Sequence, residues 1–234
     1  MNRYILLFTT LAAYFVITES LCAAEPSRSK IKRFVQKVVL GPEYGNAANV
    51  VSRWRTAPTV SVYDSTPNQK ETVNEVLLII NSCLKPLIGE IHLLSDNNST
   101  ANIKIFFAPQ RDFRKIAREF NFRYNSGNWG YYSMFWDSKN CITSAVVLLA
   151  SDKLSGNMLR HFAFEEIIQA LGLAQDSDEF PESIFYEKGK DGGSATVPSE
   201  LDLQLLCFFY QHVEPGDTRK TIDKKFEMFW PKPD

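Results

Sequence analysis

Several features that would mark a familiar chemistry are scarce or missing from this 234-residue chain. Charge of one sign is not in excess: 26 Lys and Arg against 27 Asp and Glu leave a net charge of −1. That excludes the basic footprint of a nucleic-acid binder and the block of an acidic tail. No Gly-x-Ser-x-Gly run occurs. Cys83, Cys141 and Cys207 lie in or beside apolar stretches with no histidine placed to activate them, so neither a serine nor a cysteine nucleophile is indicated. Asp191-Gly192-Gly193-Ser194 lacks the Gly-Lys continuation of a phosphate-binding loop. Cysteine spacings do not match a zinc knuckle. Histidine is limited to His92, His161 and His212. His92 and His212 are isolated and read as structural, and His161 reads as a surface or partly buried residue. The longest apolar run, Tyr4 to Val16, is interrupted by Thr9 and Thr10 and is too short to span a bilayer.

What is there begins with an export signal. Arg3 supplies a positive start, Tyr4 to Val16 an apolar middle, and Cys22-Ala23-Ala24 small residues at the −3 and −1 places of a cut before Glu25. Residues 1–24 are expected to be a signal peptide. The mature protein is expected to be secreted or periplasmic, with no stable membrane span after cleavage. Three cysteines then remain in an oxidising context, which allows one disulfide and one free thiol or three buried thiols. Asn97 and Asn98 both stand in Asn-x-Ser/Thr patterns, a polar turn that a eukaryotic host could glycosylate.

Along the mature chain, residues 25–55 read as an N-terminal extension. It has a flexible start, a short strand at Phe34 to Leu40 and a helix at Ala47 to Trp54. Thr59 to Tyr63 alternates as a strand, and Gln69 to Cys83 has helical apolar spacing, closed by Pro86 and Gly89. Ile91 to Leu94 and Ile103 to Phe107 are expected strands, and Asp112 to Phe120 a helix. Tyr131 to Trp136 and Cys141 to Leu149 form a hairpin, the first an edge strand and the second an apolar interior one. Asn157 to Leu171 is a helix stopped by Gly172, and Ser199 caps a last long helix running to Gln211. Residues 214–234 read as a C-terminal tail. The order predicts one α+β domain with a mixed, twisted sheet over residues 56–213.

The helix ending at Gly172 carries the most chemistry. Leu159, Ala163, Phe164, Ile167, Ile168, Ala170 and Leu171 fill a broad apolar arc. His161, Glu165 and Gln169 recur every four residues as a polar stripe, with Glu166 at its other border. Adjacent glutamates at such a border are commonly just solvated. A cluster further on, Asp176, Asp178 and Glu179, offers carboxylates for calcium but no regular loop spacing.

Glu165-Glu166-Ile167-Ile168-Gln169-Ala170-Leu171-Gly172-Leu173-Ala174-Gln175-Asp176 resembles the metal-binding helix of matrixin-type zinc proteases, in the metzincin group. Those proteins carry His-Glu-x-x-His-x-x-Gly-x-x-His there. The glutamate, the Ala-Leu-Gly-Leu run and the acidic residue match, while the three histidine places hold Glu165, Gln169 and Gln175. Ser183-Ile184-Phe185-Tyr186 resembles the turn that lies beneath the metal, with Phe185 in the methionine place. Val197-Pro198-Ser199-Glu200-Leu201-Asp202 resembles the start of the final helix. The Glu-Glu-x-x-Gln-Ala-Leu-Gly-Leu motif with its acidic turn and Ser-Ile-Phe is also similar to a bacterial family of secreted proteins whose function is not established.

The resemblance implies a zincin-like, metzincin-like domain that has lost its histidines. Amide oxygens are weak zinc ligands, so no tight zinc and no other cofactor is expected. Two readings follow. In one, a degenerate cleft binds an extended peptide or glycan, with Tyr131 and Tyr132 of the edge strand among the contacts and Glu165, Gln169, Gln175 and Asp176 beneath. In the other, Glu166 is the acid or base of a metal-free hydrolase acting on peptide or cell-wall type substrates. Glu165 diverges from it by about 100° on the helix and makes a poor partner. An atypical metal site of Glu165, Gln169 and Gln175 is a third arrangement.

Overall fold

The computed structural model describes residues 26–40, 50–188 and 193–232. The expected signal segment 1–24 and most of the Gly189 to Gly193 loop lie outside them. Five strands form one sheet in the order β2-β1-β3-β5-β4. They are β1 (Thr59–Tyr63), β2 (His92–Leu93), β3 (Ile103–Ala108), β4 (Gly130–Trp136) and β5 (Ile142–Ala150). β1, β2, β3 and β5 run parallel, and β4 returns antiparallel to β5 across the Asp137 to Asn140 turn. The expected mixed-sheet α+β domain is what forms. β5 is the interior strand and β4 the edge, as their apolar content predicts.

Six α-helices and one 3-10 turn (Gln110–Asp112) complete the described chain: α1 (Arg28–Val39), α2 (Pro67–Ile88), α3 (Phe113–Glu119), α4 (Gly156–Ala170), α5 (Glu200–His212) and α6 (Arg219–Phe229). α2 starts at a capping box in which Thr66 and Gln69 satisfy each other's backbone N–H, with Pro67 in the first turn. It runs past Cys83 because Pro86 falls in its last turn, and Gly89 at φ 99° ends it. α4 packs across β4 and β5 and beside α2, while α5 packs on α2. The Cys83–Cys207 disulfide joins α2 to α5, and Cys141 is a buried free thiol. Among the described residues no helix is long and apolar enough to cross a membrane.

Both chain ends depart from expectation. Phe34 to Val39 is helical, not a strand: Ser27 caps α1, and Phe34, Val35, Val38 and Val39 turn one face into the core. The tail, expected to be anchored by Phe226, Phe229 and Trp230, forms α6, and Ile222, Phe226 and the following Trp230 seal that face while Phe229 stays half-exposed. Arg28 clasps the two helices by donating to the carbonyls of Phe226 and Pro231. Extension and tail therefore belong to the same packed unit as residues 56–213. Residues 50–54 are extended rather than helical. Val51 N–H donates to the Asp217 carbonyl and Trp54 Nε1 to the Ala170 carbonyl, so tertiary partners win over local periodicity.

Candidate functional site

α4 is held from both sides. Ala163, Phe164, Ile167, Ala170 and Leu171 are fully buried beneath the sheet. The helix stops at Gly172, whose φ of 110° suits glycine, and a methyl there would lie 2.6 Å from the Ser52 carbonyl oxygen and 3.2 Å from the Phe209 ring. The stripe expected to be polar and wetted is instead enclosed: His161, Glu165, Glu166 and Gln169 are all under 9% exposed.

A cavity of about 250 Å³ opens along this stripe. Phe162, Glu165, Glu166 and Gln169 line it from α4, and residues 127–131 from the loop that enters β4. Asp176 and Glu187 line it from the segment after Gly172. Glu165 and Glu166 both reach it, although they diverge on the helix. Glu166 lies against the backbone of Gly130, where a methyl would sit 2.4 Å from its Oε1 and 2.5 Å from Phe162 Cδ1. Only a residue without Cβ admits the carboxylate there.

Hydrogen bonds fix the surroundings. Gln169 Nε2 donates to Asp176 Oδ1 at 2.8 Å. His161 lies 2.6 Å through Nδ1 from the Ala195 carbonyl, which can only accept, so Nδ1 carries a proton. Its Nε2 is 3.5 Å from Glu165 Oε2, an ion pair whenever Nε2 is protonated too. His161 is thus a buried link between the site helix and the Ala195 segment, not a surface histidine.

The remaining sequence candidates divide. Tyr131 lines the cavity, its hydroxyl donating to the Arg123 carbonyl and its ring stacked on Phe122. Tyr132 points to the opposite face, as strand alternation requires, and donates to the Ala174 carbonyl away from the cavity. Gln175 is also elsewhere: its amide donates to the Leu40 carbonyl at the end of α1. Asp178 and Glu179 pair with Lys37 and Arg33 of α1. The Lys37 ammonium hydrogen-bonded to Asp178 holds that carboxyl below its usual range. The Asp176, Asp178 and Glu179 calcium grouping is therefore not assembled.

The donor set does not fit zinc. Of the three places that resemble ligand positions, two hold Gln169 and Gln175, whose neutral amide oxygens are weak zinc ligands, and Gln175 turns away into another cavity, donating to the Leu40 carbonyl. Among the described residues no group of three or more His, Cys, Asp or Glu side chains is arranged to hold a metal ion. Six cavity residues, Gly127, Asn128, Trp129, Gly130, Phe162 and Glu187, carry no motif. The Gly-, Asn- and Ser-rich run Tyr124 to Gly130 at the entry to the edge strand is the only signal for the first four, and Phe162 and Glu187 have none.

A family model described as "Protein of unknown function (DUF2927)" matches residues 28–227. No curated protein matches the sequence. Among solved structures, the crystal structure of myroilysin is similar at a TM-score of 0.45 and 14% identity, over 76% of this chain and 93% of that one. A second structure of myroilysin gives 0.42 and 14%, over 69% and 98%. Metalloproteinase-II from Bacteroides fragilis gives 0.38 and 11%, over 77% and 60%.

Proposed function

We propose that this chain, which belongs to the DUF2927 family of proteins of unknown function, is an exported binding module that takes an extended peptide along β4. One side chain of that peptide enters the carboxylate-lined cavity. The observation that carries the reading is the shared boundary of edge strand and cavity: Gly130 and Tyr131 begin β4 and line the cavity at once. An edge strand offers main-chain hydrogen bonds to an added strand, and a pocket beside it selects one side chain. No zinc takes part, and the protein does not act as an ordinary zinc peptidase. A disulfide between α2 and α5 suits export to an oxidising compartment.

A second reading keeps hydrolysis. Glu166 is buried against Gly130 at the cavity wall, a place where a carboxyl could serve as acid or base toward a ligand in the cavity.

One experiment addresses both. Isotope-labelled protein is titrated with an extended-peptide panel and a glycan panel, and products are followed by mass spectrometry. Amide shifts concentrated on residues 130–136 with intact peptide are expected. Shifts remote from β4, or glycan binding alone, would refute the peptide reading. Cleavage that Glu166→Gln abolishes would replace it with the hydrolase.

A further inference from the structure

We infer that the peptide along β4 runs antiparallel to that strand and ends beside Gly127, where its free C-terminal carboxylate meets Arg111 and Arg114. This inference rests on the reading of β4 as a peptide-binding edge and adds the ligand's direction and its terminal group.

β3 and β5 finish at the end of the sheet where β4 starts. A second cavity, of about 520 Å³, opens there, lined by Arg111, Arg114 and Lys153 against the single carboxylate of Asp152. Asp152 is already engaged, accepting from the Gln110 N–H at 2.9 Å and lying 4.0 Å from Lys153. Among the described residues neither Arg111 nor Arg114 enters a salt bridge. Burial raises the Tyr124 phenol above its ordinary value, while the Gly127 N–H and the Arg114 charge oppose the rise, so guanidinium, phenol and Gly127 lie close together. Two guanidinium groups in one concavity suit a carboxylate, whose two oxygens match their paired N–H donors.

Gly127 lines this cavity and the one along β4, and a methyl built on it would meet nothing within 4 Å, so the passage between them is open. Gln110 Nε2 donates to the carbonyls of Gly127 and Asn128, each at 2.9 Å, which pins that rim to the basic side. A strand added to the free edge of β4 can run in either direction. Antiparallel to β4, its C-terminal end passes Gly130 and arrives at Gly127. Parallel to β4, its N-terminal ammonium arrives there instead. The cations of Arg111, Arg114 and Lys153 attract the first and repel the second, so charge selects the antiparallel course. A terminal carboxylate continues the line of the strand into the cavity, whereas a side-chain carboxylate leaves the strand at a right angle to it.

The test compares two libraries of N-acetylated peptides of equal length, random in uncharged residues and identical except for a free or an amidated C-terminus. Each is titrated into isotope-labelled mature protein, and affinity is read from the amide shifts of residues 130–136. The free-acid library is expected to bind about tenfold more tightly at low salt, with the advantage shrinking as salt rises. The Arg111→Gln/Arg114→Gln variant, changed only at exposed positions and checked by its melting curve, should lose that advantage. A spin label on the peptide N-terminus should broaden the Trp136 end of β4, and broadening at Gly130 instead would overturn the direction. Equal binding of acid and amide by the native protein would overturn the inference and leave the β4 reading standing. An advantage undiminished in the variant would overturn the basic cavity as its source. An amidated library ending in glutamate that matches the free acid would overturn the terminal carboxylate as the group recognised. Binding of neither library would overturn both readings.

Discussion

Gln169 and Asp176, on opposite sides of the Gly172 turn, are joined by a 2.8 Å hydrogen bond from amide to carboxylate. That bond ties the end of α4 to the segment leaving it, and the side chain standing in the second histidine place of the resembling proteases has only a neutral amide oxygen, a weak zinc ligand, to offer a metal. Protein purified without chelator is therefore expected to carry zinc well below one ion per chain, measured by elemental analysis. Gln169→His alone should not raise that content, because Gln175 stays bonded to the Leu40 carbonyl on the far side of the turn. Stoichiometric zinc in the native protein would contradict the donor set described here.

Gly130 and Gly172 make contrasting predictions. A methyl at Gly130 meets Glu166 Oε1, the mobile end of a side chain, and the Phe162 ring. Gly130→Ala is expected to push Glu166 out of place while costing about 1–3 kcal/mol of stability. Peptide binding should fall more than the melting temperature suggests. At Gly172 the obstacle is the Ser52 backbone oxygen and φ is positive, so Gly172→Ala has no flexible neighbour to displace. Its unfolding free energy should drop further than that of Gly130→Ala. Equal losses at the two sites would show that Gly130 serves packing alone.

How far the sequence anticipates the fold depends on where each contact partner lies. α4, its glycine stop and the Ser199 cap of α5 are local patterns, and all three are legible. α1 is not: Phe34-Val35 and Val38-Val39 read as a short apolar strand until α6, from the other end of the chain, supplies the covering face. At the site, alignment in one dimension places Gln175 beside Gln169. After the turn it is Asp176 that faces the cavity while Gln175 faces α1. His161 looks solvent-facing on a helical wheel because the Ala195 carbonyl that covers it is 34 residues away. Periodicity reports which face of a helix differs, not whether a distant loop closes over it.

The disulfide gives a prediction about stability. Cys83 and Cys207 are 124 residues apart in sequence and join two packed helices. Replacing both with serine should lower the unfolding free energy by about 2–4 kcal/mol, read from denaturant midpoints. In native, non-reduced protein expressed from Glu25 onward, Cys141 alone of the three remaining cysteines should take up a thiol reagent. Buried and accepting from Arg55 Nε at 2.9 Å, it should label slowly without denaturant. Two or more thiols labelled per native chain would argue against the bridge.

Asp202 joins the turn after the site to α5. Its carboxylate accepts from Ser183 Oγ at 2.6 Å and Ile184 N–H at 2.9 Å, and from Ser199 N–H at 2.8 Å and Ser199 Oγ at 2.9 Å. Burial raises its pKa above 3.8, and these donors partly oppose the rise. A carboxyl raised on folding binds its proton more tightly in the native state than in the unfolded chain. Its contribution is thus complete below the unfolded pKa and is lost as pH climbs through the folded one. Asp202→Asn should remove that falling limb from the difference between mutant and native stability curves. It should also cost about 1–3 kcal/mol near neutrality, because an amide nitrogen cannot accept from the N–H groups that now converge on a carboxylate oxygen. Urea titrations from acid pH to neutrality measure both effects. A native curve that rises across this window, with no change in slope for the mutant, would mean that the hydrogen bonds outweigh burial at Asp202.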